Sequence, residues 1–116
     1  MKVIRLDQVP KKEVHMEGVQ GAYKQLVISK ADGAPNFSFR VFTVEPGGHT
    51  PYHKHASEHL NYVIGGQGCL VDENGGEHEV HQGEFALVLP NEKHQYRNTS
   101  ADQPLLLICA VPKEFE

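Results

Sequence analysis

No stretch of this 116-residue chain sustains apolar residues at a helical spacing, and glycine or proline cuts it every few residues. That combination argues against a helical bundle and leaves short extended segments as the building units. Residues 37–44 alternate β-branched and aromatic side chains and read as a strand, with Phe37, Phe39, Val41 and Thr43 on one face and Ser38, Arg40, Phe42 and Val44 on the other. Glu45, Pro46, Gly47 and Gly48 are expected to end it. Further strands are expected at residues 23–28, 52–55, 60–64, 69–72, 77–81, 84–89, 94–97 and 105–111, with residues 1–13 a short edge strand or an arm. Asn74-Gly75 is the hairpin signal between two of them. Roughly nine or ten short strands at regular spacing predict an all-β sandwich or barrel. One domain is expected over residues 1–116, with its core at about 37–111 and residues 1–30 as N-terminal strands or arm.

Composition narrows the function. Apolar residues at 39% and charged residues at 22% suit a folded globular chain. The net charge is −4 and no segment concentrates basic residues, so nucleic acid is not an expected partner. No signal peptide is legible, and the longest apolar run, residues 105–111, is too short to span a bilayer. A cytoplasmic protein with no membrane partner is expected, with Cys69 and Cys109 as free thiols. The run at 105–111 is apolar on both faces. One face fills the interior, and a second copy of the chain, in a homodimer, is the simplest cover for the other.

Four of the eight histidines fall between His49 and His59. His53 and His55 are two apart, so on a strand they share a face and can chelate one ion through neutral imidazole. His59 joins them if the chain turns tightly at Ala56-Ser57, and His94 comes from a distant segment. His53, His55, His59 and His94 are therefore expected to bind one metal ion inside a small β-barrel. Glu58 is the rival to His59. Alternation aims the two opposite ways, and a bulge before Glu58 would reverse which one faces inward. His49 reads as a solvated rim residue, and His15, His78 and His81 as exposed.

With these residues in place, the chain resembles the cupins, a family of small jelly-roll β-barrels. The first cupin motif is met by Gly47, His53, His55 and Gly66, with His59 where the family usually carries Glu. The second is met by Gly83, Pro90, His94 and Asn98, with a shortened gap between Pro90 and His94 and Glu92 in place of a glycine. This frame favours His59 over Glu58. Ala34-Pro-Asn-Phe37, the run from Phe42 to Gly48 and the segment from Cys109 to Glu114 resemble more closely the single-domain four-histidine cupins that bind manganese or a similar divalent metal.

The resemblance implies oxygen-dependent chemistry: a metal-dependent oxygenase or dioxygenase acting on a small apolar or phenolic substrate. Manganese or iron is the expected ion, with zinc, nickel or copper also compatible with the ligands. The alternatives are a metal-dependent isomerase or hydrolase, and a non-catalytic small-molecule binder. Arg40, Phe42 and Cys109 are the pocket candidates. Arg40 either receives an anionic substrate or sits in a structural salt bridge. Cys109 is either a thiol near the metal, as the resemblance implies, or an inert buried cysteine. Tyr52 and Tyr96 are expected to point away from the metal.

Overall fold

The computed structural model describes the whole chain, Met1–Glu116. Nine strands build it: β1 (Lys12–Glu13), β2 (Gln20–Ile28), β3 (Phe37–His49), β4 (His59–Gly65), β5 (Gln67–Val71), β6 (Glu77–His81), β7 (Phe85–Val88), β8 (Gln95–Arg97) and β9 (Leu105–Pro112). The helical pieces are single 3-10 turns at Leu6–Gln8, Lys30–Asp32 and Lys113–Phe115. The sheet order is β6-β5-β8-β3-β9-β4-β7, with β2 also paired to β3 and β1 to β2.

Strands β6 and β7 lie at opposite ends of that order, yet only residues 82–84 join them. So short a link requires the sheet to curl. The turn is tied to β4, where Gly83 N–H donates to the Val63 carbonyl at 2.9 Å and Val63 N–H to the Glu84 carbonyl at 3.0 Å. The result is the expected all-β jelly roll. No helix is long and apolar enough to cross a membrane.

One expectation needs correction. Strand β3 does not end at Glu45. Its pairing with β2 steps from Ala22–Val44 to Gln20–His49, so residues 45–48 form a bulge and the strand resumes. Gly47 has φ +77°. A Cβ at Gly48 would sit 2.6 Å from the Gln20 carbonyl oxygen, so only glycine fits there. Asn98 clamps the bulge. Its N–H donates to the Gly48 carbonyl at 3.0 Å, and its side-chain amide donates to the Val44 and Gln103 carbonyls at 2.8 Å each.

Strand alternation then sorts the interior. Phe37 and Phe39 lie outside, 58% and 45% exposed, so the face bearing Ser38, Arg40, Phe42 and Val44 points inward. Val44, Val63, Val80, Tyr96, Leu105 and Leu107 pack as one cluster, the floor of the barrel. Each fully buried Val or Leu there contributes about 1.5–3 kcal/mol. Along the same inward faces, two residues at a time, the floor gives way to a cavity. Val44 is followed by Phe42 and Arg40, Val63 by Asn61 and His59, and Leu107 by Cys109. Outside, buried Gln25 holds the N-terminal arm by donating to the Leu6 and Val9 carbonyls at 2.9 and 3.0 Å. Cys69 and Cys109 are both buried and unbridged.

Candidate metal centre

The two distant halves of the histidine set meet through their backbones. His53 N–H donates to the His94 carbonyl at 3.1 Å, and His94 N–H donates back to the His53 carbonyl at 2.9 Å. This is an isolated bridge, so the strand expected at residues 52–55 does not form. Pro51 offers no N–H to a ladder, and Asn91 N–H takes the His55 carbonyl at 2.8 Å. The facing holds over the bridge even so: His53 and His55 line the cavity, while Tyr52 and Lys54 are exposed.

His53, His55 and His94 each place a ring nitrogen within 4.8 Å of the other two, close enough for one metal ion. Their tautomers are set by carbonyls. His55 Nδ1–H donates to Ser57 O at 2.9 Å, and His94 Nδ1–H donates to Glu92 O at 2.8 Å. These bonds assign the proton to Nδ1 and leave Nε2 with its lone pair free in both rings. His55 Nε2 is buried with no hydrogen-bond partner at all. A buried polar atom without a partner is costly, and a bound cation supplies the missing interaction. All the donors are imidazoles, a set suited to a divalent transition metal. The residues present therefore fit one such ion.

Protonation favours the same role. Burial, then the neighbouring histidines, holds His53 below the ordinary histidine value. Burial does the same for His94. His59 is pushed down to about 3, first by burial and then by His55, Arg40 and the other histidines. Neutral imidazole is the ligating form.

His59 lines the cavity, whereas Glu58 is exposed. The His59 ring stacks on His55 with centroids 4.1 Å apart, and its Nε2 lies 3.4 Å from Arg40 Nη2. A guanidinium only donates, so Nε2 is the acceptor in that contact. His59 is thus beside the three-histidine group rather than one of its mutually close members.

The pocket candidates all reach the same space. Arg40, Phe42 and Cys109 line a cavity of about 310 Å³ together with the histidines. Arg40 is 7% exposed and donates to Cys109 Sγ at 3.0 Å. It forms no salt bridge. The structural ion pair weighed for it does not exist.

Tyr96 was expected to point away from the metal and does not. It lines the cavity, because it lies two residues from His94 and alternation places both on one face. Its hydroxyl donates to Asn61 Oδ1 at 2.9 Å. Asn61 and Lys24 also line the cavity and were not anticipated. Asn61 was recoverable, since it lies two residues beyond His59. Nothing in the sequence around Lys24 marks it. His78 and His81 are exposed and pair with Asp72 and Glu84.

Comparison with known proteins agrees with this geometry. The cupin-domain family matches residues 40–111. The chain belongs to the cupin family. No curated protein matches it. Among solved structures it is similar to the polyketide cyclase RemF from Streptomyces resistomycificus, at 30% identity and a TM-score of 0.90, over 97% of this chain and 79% of that one. It also resembles, in fold alone, ectoine synthase from P. lautus, at 19% identity and a TM-score of 0.75, over 97% and 78% of the two chains. A sugar phosphate isomerase of the cupin superfamily from Silicibacter pomeroyi has the same fold, at 21% identity and a TM-score of 0.77, over 94% and 74%.

Proposed function

We propose that this cupin is a metal-dependent oxygenase for a small apolar or phenolic substrate, with manganese or iron held by His53, His55 and His94 and with His59 as fourth ligand. The observation that carries the reading is the buried, partnerless Nε2 of His55, in a group of imidazoles whose tautomers are already set for ligation. Such an ion, when bound, supplies Lewis acidity and electrons for oxygen chemistry. The chain's own part is positional. Ser57 and Glu92 carbonyls hold two of the rings in orientation, and Leu107, Phe42, Val19 and Met16 form apolar walls that limit water.

A redox-neutral metal enzyme is the second reading, favoured by the 30% identity to a polyketide cyclase. Protein loaded with manganese or iron and offered phenols and alkenes separates the two. Substrate-dependent oxygen uptake supports the oxygenase. Turnover without oxygen uptake supports the second reading, and binding without turnover supports a non-catalytic binder. Elemental analysis of protein from its own host identifies the native ion, since zinc, nickel or copper would occupy the same imidazoles after purification.

The homodimer belongs to the same proposal. Phe39 and Leu60, 45% and 50% exposed, flank β9, Leu87, 54% exposed, continues the patch beside Leu60, and a second copy is the proposed cover. A monomeric mass by light scattering would remove it.

A further inference from the structure

We propose that the cavity takes a substrate bearing one carboxylate on a small apolar body, and that the Arg40 guanidinium receives the carboxylate. The inference rests on the reading of this cavity as the substrate site. It does not need the oxygenase reading.

Arg40 sits on the inward face of β3, paired to β2 on one side and β9 on the other. It has three neighbours to donate to: Cys109 Sγ at 3.0 Å, His59 Nε2 at 3.4 Å and the Phe115 carbonyl at 3.5 Å. None is a carboxylate. Its Nε is buried and has no partner. A guanidinium cannot shed its charge, so burial without a counter-ion leaves a cost that an anion would offset.

The rest of the cavity lining holds one cation and no carboxylate side chain, and that cation, Lys24, donates to the Glu116 main-chain oxygen at 2.5 Å. The Lys24 ammonium is held below its ordinary value, first by burial and then by the Arg40 charge. Glu116, whose charge reaches Lys24, has its carboxylate engaged by the Ser38 hydroxyl and by Lys30 N–H. An imidazole-only metal site would leave the charge of its ion uncancelled.

The shape of Arg40 selects the kind of anion. The Phe42 ring lies 4.9 Å from the guanidinium carbon and gives its plane an apolar shelf. A planar fork held this way matches a carboxylate in bidentate fashion. Among the remaining walls, Met16, Val19, Leu107 and Ala22 offer surface to a hydrocarbon body. Should His59 give its Nε2 lone pair to a metal, the contact with Arg40 Nη2 is released. The guanidinium then has a second free N–H beside Nε.

The test uses the full chain, stripped with chelator, and matched pairs of probes: benzoate and benzamide, phenylacetate and phenylacetamide, hexanoate and hexanamide. Calorimetric titration should show each carboxylate binding about tenfold tighter than its amide. Arg40→Gln should reduce that preference to within about twofold, and Arg40→Lys, which keeps the charge and loses the fork, should retain only part of it. If Arg40→Gln does not fold, the wild-type ratio and Arg40→Lys decide the matter. Equal binding of acid and amide overturns the proposal, as does an undiminished preference in Arg40→Gln. So does the absence of saturable binding by every probe. Carboxylates that bind only after manganese is restored, and equally in Arg40→Gln, would overturn the role of Arg40 while leaving the metal-dependent reading intact.

Discussion

The floor of the barrel and its mouth are made by the same faces of the same strands. On β3, β4 and β9 the inward residues at the floor are Val44, Val63 and Leu107, and further along the same faces they are Arg40, His59 and Cys109. Alternation puts both sets inside. What separates them is their neighbours. At the floor every inward group is predominantly apolar, and burial stabilises. At the mouth the inward groups are imidazole, guanidinium and amide, whose burial costs free energy unless each finds a partner. Two atoms find none, His55 Nε2 and Arg40 Nε. Stability is therefore concentrated at one end of the barrel axis, and ligand-seeking groups at the other.

The sharpest way to break that comparison is to exchange the two effects. Leu105→Ala removes a floor side chain that is 0% exposed and should cost about 2–5 kcal/mol, read as a lower denaturation midpoint. Its metal stoichiometry should stay unchanged, and loss of metal by this variant would end the separation. Saturating metal, at about 100 times its dissociation constant, should stabilise the wild-type chain by about 2.7 kcal/mol. His94→Ala should lose that increment, while its chelated form melts near the wild-type chelated form. A wild-type midpoint indifferent to chelator would exclude a tight site.

The mouth should also carry most of the pH dependence. His59 titrates at about 3 when folded, and His53 and His94 below 6.5. As pH falls below 6.5 the unfolded chain takes up protons at these positions and the folded chain does not. Their contribution is complete above that value and is lost progressively as pH drops toward the folded values. The slope approaches about 1.4 kcal/mol per pH unit for His59, and solvent screening makes it smaller for the more exposed His53. Bound metal steepens the loss, because protons compete for its ligands. Midpoints of chelated protein at pH 7 and pH 5 measure the slope. His59→Asn should flatten it and Leu105→Ala should not. The smallest effect lies at the boundary between the two regions. Tyr96→Phe removes the hydroxyl bonded to Asn61 and should cost about 1 kcal/mol, with metal retained.

Much of this architecture was readable residue by residue. The membership of the two β3 faces and the hairpin at Asn74-Gly75 followed from period-two alternation and turn chemistry, which are local; which face turns inward did not. The expected end of β3 at Glu45 was not borne out, because a bulge depends on what the partner strands offer: Gln20 on one side and Asn98 on the other. The missing strand at residues 52–55 has a similar cause, since its ladder partners are absent except at His94. Tyr96 lies two residues from His94, so alternation itself puts it on the cavity side. Lys24 was out of reach, because only the pairing of β2 with β3 brings it to the cavity.

The sequence by itself determined that the chain is all-β and that His53 and His55 share a side, since both depend on short-range spacing. The motif frame already put His94 with them and favoured His59 over Glu58; tertiary structure alone decided that His94 closes on them through a single backbone bridge and that Arg40 is buried without a carboxylate. Those are facts about which distant segments become neighbours. Spacing along a chain does not encode them, because they arise only when the sheet curls and the strands choose their partners.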